Sequence, residues 1–285
     1  MTVREFTASL TSELQPLYPA REAQAIAALV AEHLLHQDAL QRVLNAQATV
    51  PAAALAELPA VRARLLAHEP VQYVLGTADF DGMALEVTPA TLIPRPETEE
   101  LVQVITQEQR GRAGLRVLDV GTGSGCLALA LARALPTATV VGIDISAEAL
   151  VVARRNAARY APAVSFQQVD ILQELPAGLA AGTLDVLVSN PPYVRESERP
   201  LMRDNVLAWE PATALFVPDE DPLLFYRRLR EVGQELLCPG GVVYLEINEA
   251  LGAETAALFE GHGFDAVRVL PDLFGKARVV CGRRQ

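Results

Sequence analysis

The chain has a single lysine, Lys276, so nearly all of its 24 basic residues are arginine. Against 35 acidic residues the net charge is −11. That balance excludes a general electrostatic grip on nucleic acid, and it leaves room for a basic protein partner. Cysteine is scarce. Cys126, Cys238 and Cys281 are odd in number, far apart and outside C-x-x-C spacing. This excludes a disulfide framework and a cysteine zinc site, and it fits small buried hydrophobes in a reducing compartment. The four histidines, His33, His36, His68 and His262, fall in no ligand spacing, so no metal is expected. No apolar run approaches a membrane span, and no basic stretch followed by an apolar core opens the chain. A cytoplasmic protein without a membrane partner is expected.

What is present is 285 residues at 51% hydrophobic and 21% charged, enough for one catalytic core plus a small extra domain. Residues 1–70 read as helices and are only mildly acidic. Ala25, Ala28, Leu29 and Leu35 fall at helical spacing and predict the apolar stripe of one helix. Pro16, Pro19, Pro51 and Pro59 predict breaks between short helices. Such a domain either packs and stabilises, or docks a macromolecular substrate. Residues 71–93 read as a β-hairpin linker, with Asp81-Gly82 as its turn. Residues 94–285 form the third segment. It opens with "PRPETEELV", where Pro96 and its acids suit the first turn of a helix. There Arg95 and Glu97 form either a local ion pair or part of a lid, and Phe80 before them is open in the same way, with plain hairpin core as one reading.

From about residue 114 strands alternate with helices: "RVLDVGTGSG", "CLALALARAL", "TVVGIDIS", "AEALVVARRNAARY", "VSFQQVDI", "LDVLVSN", then a helix, "GGVVYLEIN" and a further helix. Repeated β-α units with apolar strands predict an α/β fold, a mostly parallel sheet covered on both faces. The last two strands suit an antiparallel edge.

The first strand runs into Gly121, Thr122, Gly123, Ser124 and Gly125. Glycines at that turn allow close backbone approach of a ligand to a helix start. Asp119 sits just before them. The second strand ends in Asp144, where a carboxylate can accept from both ribose hydroxyls. The third ends in Asp170, within reach of an exocyclic adenine amine. The glycine spacing is not that of a dinucleotide site, and the G-K-[ST] of a triphosphate site is absent. An acid-lined turn suits a cationic ligand, and S-adenosyl-L-methionine carries both an ammonium and a sulfonium.

Asn190, Pro191, Pro192 and Tyr193 follow the fourth strand. Prolines cannot continue a ladder, so they make a stiff turn at the sheet's carboxyl edge. A planar nitrogen is a poor nucleophile because its lone pair is delocalised. The Asn190 side-chain carbonyl and the Pro191 backbone carbonyl can accept its two hydrogens, and Tyr193 can cover its flat face. These groups supply orientation and preorganised dipoles, which bind the charge that develops better than the ground state.

With "PVQYVLGTADFDG", "TLIPRPETEELV", "DVGTGSGCLALALA", "VSNPPYVRESE" and "DLFGKARVV", the chain resembles the HemK/PrmC family, the peptide chain release factor N5-glutamine methyltransferases. The resemblance spans essentially the whole chain. It implies a class I methyltransferase domain with a seven-stranded Rossmann-like sheet, a helical N-terminal domain and a hairpin linker. It also implies S-adenosylmethionine as cofactor and, as substrate, the glutamine of the Gly-Gly-Gln loop of class I release factors. Residues 121–125, Asp144 and Asn190 carry over as cofactor contacts, and residues 190–193 as substrate clamp. Members often carry Trp or Leu after the third-strand acid; here Ile171 implies apolar packing on the base. A monomer is the default. The rival readings are an N6-adenine methyltransferase on DNA or RNA, which would need a basic recognition region, and a non-catalytic cofactor-binding partner.

Overall fold

A computed structural model describes residues 1–285. Its first elements are α1 (Val3–Leu14), α2 (Ala20–Leu35), α3 (Ala39–Leu44), α4 (Ala52–Leu66), α5 (Val71–Leu75), β1 (Thr77–Phe80) and β2 (Met83–Glu86). Next come α6 (Pro96–Glu108), β3 (Arg116–Val120), α7 (Cys126–Ala134), β4 (Thr139–Asp144), α8 (Ala147–Tyr160), β5 (Ser165–Gln168) and β6 (Leu184–Ser189). The chain continues with β7 (Val194–Arg195), α9 (Asp204–Trp209), β8 (Phe216–Val217), α10 (Leu224–Leu236), β9 (Leu237–Glu246), α11 (Gly252–Phe259), β10 (Phe264–Pro271) and β11 (Ala277–Arg284). It divides into two compact units, Met1–Thr77 with Arg203–Trp209, and Ala78–Met202 with Glu210–Gln285.

The first unit is helical. A capping box at Thr2 and Glu5 starts α1, each side chain meeting the other's backbone N–H. Its core joins Phe6, Leu10 and Leu14 of α1 to Ile26, Val30 and Leu34 of α2 and Leu65 of α4. The buried stripe of α2 is therefore Ala23, Ile26, Ala27, Val30, Ala31, Leu34 and Leu35, and the predicted Ala25 and Leu29 lie on its exposed side. An alanine-rich helix offers two apolar stripes; the one with Ile26, Val30 and Leu34 removes more area from water and is buried. Pro19 and Pro51 do precede helices, but Pro59 lies inside α4. It is exposed there, so the carbonyl that loses its donor can be hydrated.

The second unit holds a seven-stranded sheet in the order β10-β11-β9-β6-β3-β4-β5. β3, β4, β5, β6 and β9 run parallel, and β11 is antiparallel to both β9 and β10. Val117, Val186 and Val188 point to one face, against Leu101 and Ile105 of α6 and Leu127, Leu129 and Leu131 of α7. Leu118, Leu187 and Leu245 point to the other, against Tyr226, Leu229 and Val232 of α10 and Phe259 of α11. Neighbouring strand residues thus serve opposite faces, which is why the strands read as continuous apolar runs.

Asp81 and Gly82 turn the hairpin with φ of 47° and 70°, the left-handed pair of a two-residue turn. Phe80, Met83 and Leu85 are buried in the same cluster as α6 and α7, so the hairpin is part of the sheet's core. β9 begins at Leu237, directly after α10, three residues earlier than the apolar pattern suggests. The pairing shifts between Leu184 with Leu237 and Val186 with Val242. A Cβ at Gly241 would stand 2.9 Å from the Leu184 carbonyl, so glycine permits this close approach. No helix is long and apolar enough to cross a membrane.

Candidate active site

β4 pairs on one side of β3 and β6 on the other, so the strand order reverses at the carboxyl end of β3. Connecting loops diverge at such a point and leave a crevice. The glycine turn lies there. The N–H groups of Gly121 and Thr122 both donate to the Ile143 carbonyl at 2.9 Å, which fastens the turn to β4. Gly121, Gly123 and Gly125 have φ of 72°, 56° and 84°. The three serve different needs. A Cβ on Gly123 would meet nothing within 4 Å, and one on Gly121 only the Asn190 carbonyl at 4.0 Å, so the space above both is open. A Cβ on Gly125 would touch Ala153, Leu129 and Phe166 at 3.4 Å, so that glycine lets α7 sit close to its neighbours.

Asp119 is fully buried beneath the turn. Its Oδ2 accepts from Thr122 Oγ1 at 2.6 Å and from the Ala128 N–H at 3.2 Å, while Oδ1 has no partner. Burial raises its pKa to about 7; the bonds from Thr122 and Ala128 oppose that rise, and the nearby charge of Asp144 adds to it. Asp119 thus bears on the crevice through the turn it holds. Ser124 is buried as well, and its carbonyl accepts from Asn156 Nδ2 at 2.9 Å.

Asp144 accepts from the Gly123 N–H on Oδ2 at 2.8 Å and from the Ser146 N–H on Oδ1 at 2.9 Å. The structure therefore joins Asp144 to the glycine turn. Burial raises its pKa against those bonds. Each oxygen keeps a lone pair for a further donor. Asp170 accepts from the Leu172 N–H at 3.0 Å and from Gln173 Nε2 at 2.7 Å, which fixes its turn after β5. Ile171 is only 6% exposed and belongs to the core under the sheet. Ile145, directly after Asp144, is 57% exposed. An apolar side chain held open beside a strand-end acid offers a wall for a flat base, and the segment "GIDIS" already placed it there in sequence.

Asn190 to Tyr193 follow β6, whose last residue, Ser189, donates Oγ to the Val120 carbonyl at 2.7 Å. This bond sets the two strand ends side by side. Asn190 Nδ2 donates to Thr98 Oγ1 at 3.2 Å, Thr98 donates to Glu246 Oε2 at 2.7 Å, and Tyr193 donates to Glu246 Oε1 at 3.1 Å. Burial and the Glu246 charge raise the Tyr193 pKa far above its ordinary value, so the phenol keeps its proton. Asn190, Pro191 and Tyr193 line a pocket with Leu92, Arg95 and Leu215. Arg95 pairs at 2.6 Å with Glu210, whose other oxygen accepts from the Ile93 N–H at 3.2 Å. Its partner is therefore distant in sequence, and Glu97 is not that partner. Phe80 is 1% exposed in the hairpin core.

Residues 7–76 match the PrmC N-terminal domain, and residues 112–244 match a methyltransferase domain. The release factor glutamine methyltransferase of Bacteroides thetaiotaomicron is 44% identical over 99% of this chain and 100% of its own. The chain belongs to the release factor glutamine methyltransferase family. The enzyme of that name from Flavobacterium psychrophilum is 36% identical over 98% of each chain. A T. thermophilus 16S rRNA N2 methyltransferase shares the fold at a TM-score of 0.53 and 21% identity, over 73% of this chain and 50% of its own. Thr98 and Glu246, which join Asn190 to Tyr193, and the exposed Ile145 are residues of the candidate site that the sequence analysis did not single out. Thr98 stands inside the "RPETE" segment, but nothing local marks it as a partner of Asn190, 92 residues away.

Proposed function

We propose that the chain transfers the methyl group of S-adenosylmethionine to the side-chain amide nitrogen, N5, of the glutamine in the Gly-Gly-Gln loop of bacterial class I release factors. The observation that carries this reading is the Asn190 amide, held by Thr98 in a pocket wall whose backbone borders the open space over Gly121. The residues fit the cofactor. An unpartnered carboxylate oxygen lies under the turn, open space lies over Gly121 and Gly123, and an exposed Ile145 flanks Asp144. Residues 121–125 would line the methionine end, above the negative potential of Asp119. Asp144 would take the ribose hydroxyls and Asp170 the adenine amine, with Ile145 as apolar wall and Ile171 behind it. When bound, S-adenosylmethionine supplies a methyl group activated by its sulfonium.

The chain's own residues then orient the acceptor. Asn190 Oδ1 and the Pro191 carbonyl take the two amide hydrogens, and two consecutive prolines keep that carbonyl from turning. As the nitrogen becomes positive its hydrogens become stronger donors, so these acceptors favour the transition state. Tyr193 packs on the flat face as a neutral phenol. The helical unit is the docking domain for the protein substrate, and the enzyme works as a monomer in the cytoplasm, where translation takes place. The net charge of −11 supports a protein substrate over a nucleic acid.

Mass spectrometry of a purified release factor, incubated with this protein and S-adenosylmethionine, tests the reading. One added methyl on the Gly-Gly-Gln peptide, absent with Asn190→Ala, is the expected result. An unmodified peptide with the cofactor demonstrably bound refutes the substrate. Methylated adenine in DNA or RNA under the same conditions would put the rival in its place.

A further inference from the structure

Glu246 ends β9, is 1% exposed and belongs to none of the motifs that marked the site. Its two oxygens each accept a hydrogen bond from a hydroxyl, Oε2 from Thr98 at 2.7 Å and Oε1 from Tyr193 at 3.1 Å. Tyr226, from α10, donates to the Glu246 backbone carbonyl at 3.2 Å and holds the strand end in place.

A threonine hydroxyl has one proton and otherwise only accepts. With that proton directed at a carboxylate, Thr98 Oγ1 can only receive a hydrogen bond from Asn190. The Asn190 amide must then turn its NH2 inward, at 3.2 Å, which leaves Oδ1 for the pocket. The reverse amide would need the Thr98 proton for its own oxygen. That would strip a buried carboxylate oxygen of its donor, which is unfavourable. It would also point two donors at a substrate nitrogen that itself brings donors.

We infer that Glu246 and Thr98 form a polarity relay that decides which way round the Asn190 amide stands, and that Glu246 is a positioning residue for the transfer. The inference rests on the reading of Asn190 as acceptor for the substrate nitrogen. Through its other oxygen, Glu246 ties Tyr193 to the same point, so one carboxylate sets both ends of the Asn-Pro-Pro-Tyr turn.

The test uses the full chain, a purified release factor and four variants, with turnover and cofactor affinity measured for each. Thr98→Val keeps the shape and removes the relay. It should lower kcat by about tenfold to a hundredfold, the range for a misplaced transition-state contact, with cofactor Kd within about twofold of wild type. Thr98→Ser restores the hydroxyl and should recover most of that loss. Glu246→Gln replaces one of the two acceptor oxygens with an NH2 donor, and it should lower kcat too. The double variant Glu246→Gln/Thr98→Val should lose less than the product of the two single losses, because the Thr98 contact is common to both and only the Tyr193 contact of Glu246 adds to it. A release factor with glutamate in place of the loop glutamine should inhibit Thr98→Val more strongly than wild type, since a freed amide can offer its NH2 to a carboxylate. A merely structural role would lower kcat without strengthening inhibition by the glutamate-bearing release factor. Undiminished turnover in Thr98→Val, failure of Thr98→Ser to recover, or losses that multiply in the double variant would overturn the relay. Where Thr98→Val no longer binds the cofactor, Thr98→Ala carries the same comparison. A wild-type protein that leaves the release factor unmethylated refutes the substrate reading, and the relay as a device for that reaction falls with it.

Discussion

Replacing Asp119 by Asn should stabilise the ligand-free protein, and more so as the pH rises. The Asp119 carboxyl is fully buried, with two donors on one oxygen and none on the other. Burial lifts its pKa to about 7, whereas in the unfolded chain it titrates near ~3.9. Between those values the folded protein holds a proton that the unfolded chain has released. The contribution of this group to stability is therefore highest below about pH 4, falls as the pH rises to about 7, and then levels off. At roughly 1.4 kcal/mol per unit the loss reaches about 4 kcal/mol at most. Asparagine keeps the shape and one acceptor for Thr122 and Ala128 and carries no charge. Its buried NH2 takes back about 1–2 kcal/mol where Oδ1 has no partner. The net gain at pH 8 should be about 2–3 kcal/mol, or about 4–12 °C in Tm for a domain of this size. Near pH 4 Asn should be neutral or slightly worse than Asp. Calorimetric unfolding of both proteins at pH 4.5 and pH 8 gives the comparison, and other carboxyls cancel between them. A pH-independent difference, or a destabilised variant at pH 8, would refute the reasoning, because it would mean that the carboxylate is ionised and well partnered in the fold.

Asn190→Ala should bind the cofactor nearly as well as wild type in calorimetry and lose most turnover, and Asp144→Ala should do the reverse; mutants that behave alike would refute the division of roles. Gly123→Ala and Gly82→Ala both place a Cβ in open space at a positive φ. Each should cost about 1 kcal/mol of stability, but only the former should weaken cofactor affinity, by about tenfold or more. Arg95→Ala leaves the carboxylate of Glu210, with 1% of its side chain exposed, without its cation. It should destabilise by about 2–3 kcal/mol in thermal unfolding, and Arg95→Met/Glu210→Gln should recover most of that; a double variant as unstable as Arg95→Ala would count against the pair.

Much of the site could be read from short range. Glycines at positive φ, a turn locked by two prolines, acids at strand ends and Asp81-Gly82 in a hairpin turn are properties of a few adjacent residues, and the structure places each at the end of its element. The strand-helix alternation likewise carried the sheet, because side chains on neighbouring strand positions go to opposite buried faces. The stripe of α2 was less legible, since alanines make both of its sides apolar and the choice lies with what packs on them. Pro59 misled for a related reason: whether a helix tolerates proline depends on its exposure.

Other decisions belonged to the tertiary structure alone. Asn190, Thr98 and Glu246 are separated by 92 and 148 residues along the chain, and their contacts arise because the sheet order sets β9 beside β6 with α6 over their ends. The sequence by itself determined which groups stand at the carboxyl edge, since φ, periodicity and turn chemistry act within a few residues. Only the fold decided which of those groups share a proton, and so which way the Asn190 amide faces. A hydrogen bond needs atoms about 3 Å apart, and sequence spacing says nothing about that distance once the chain has crossed the sheet.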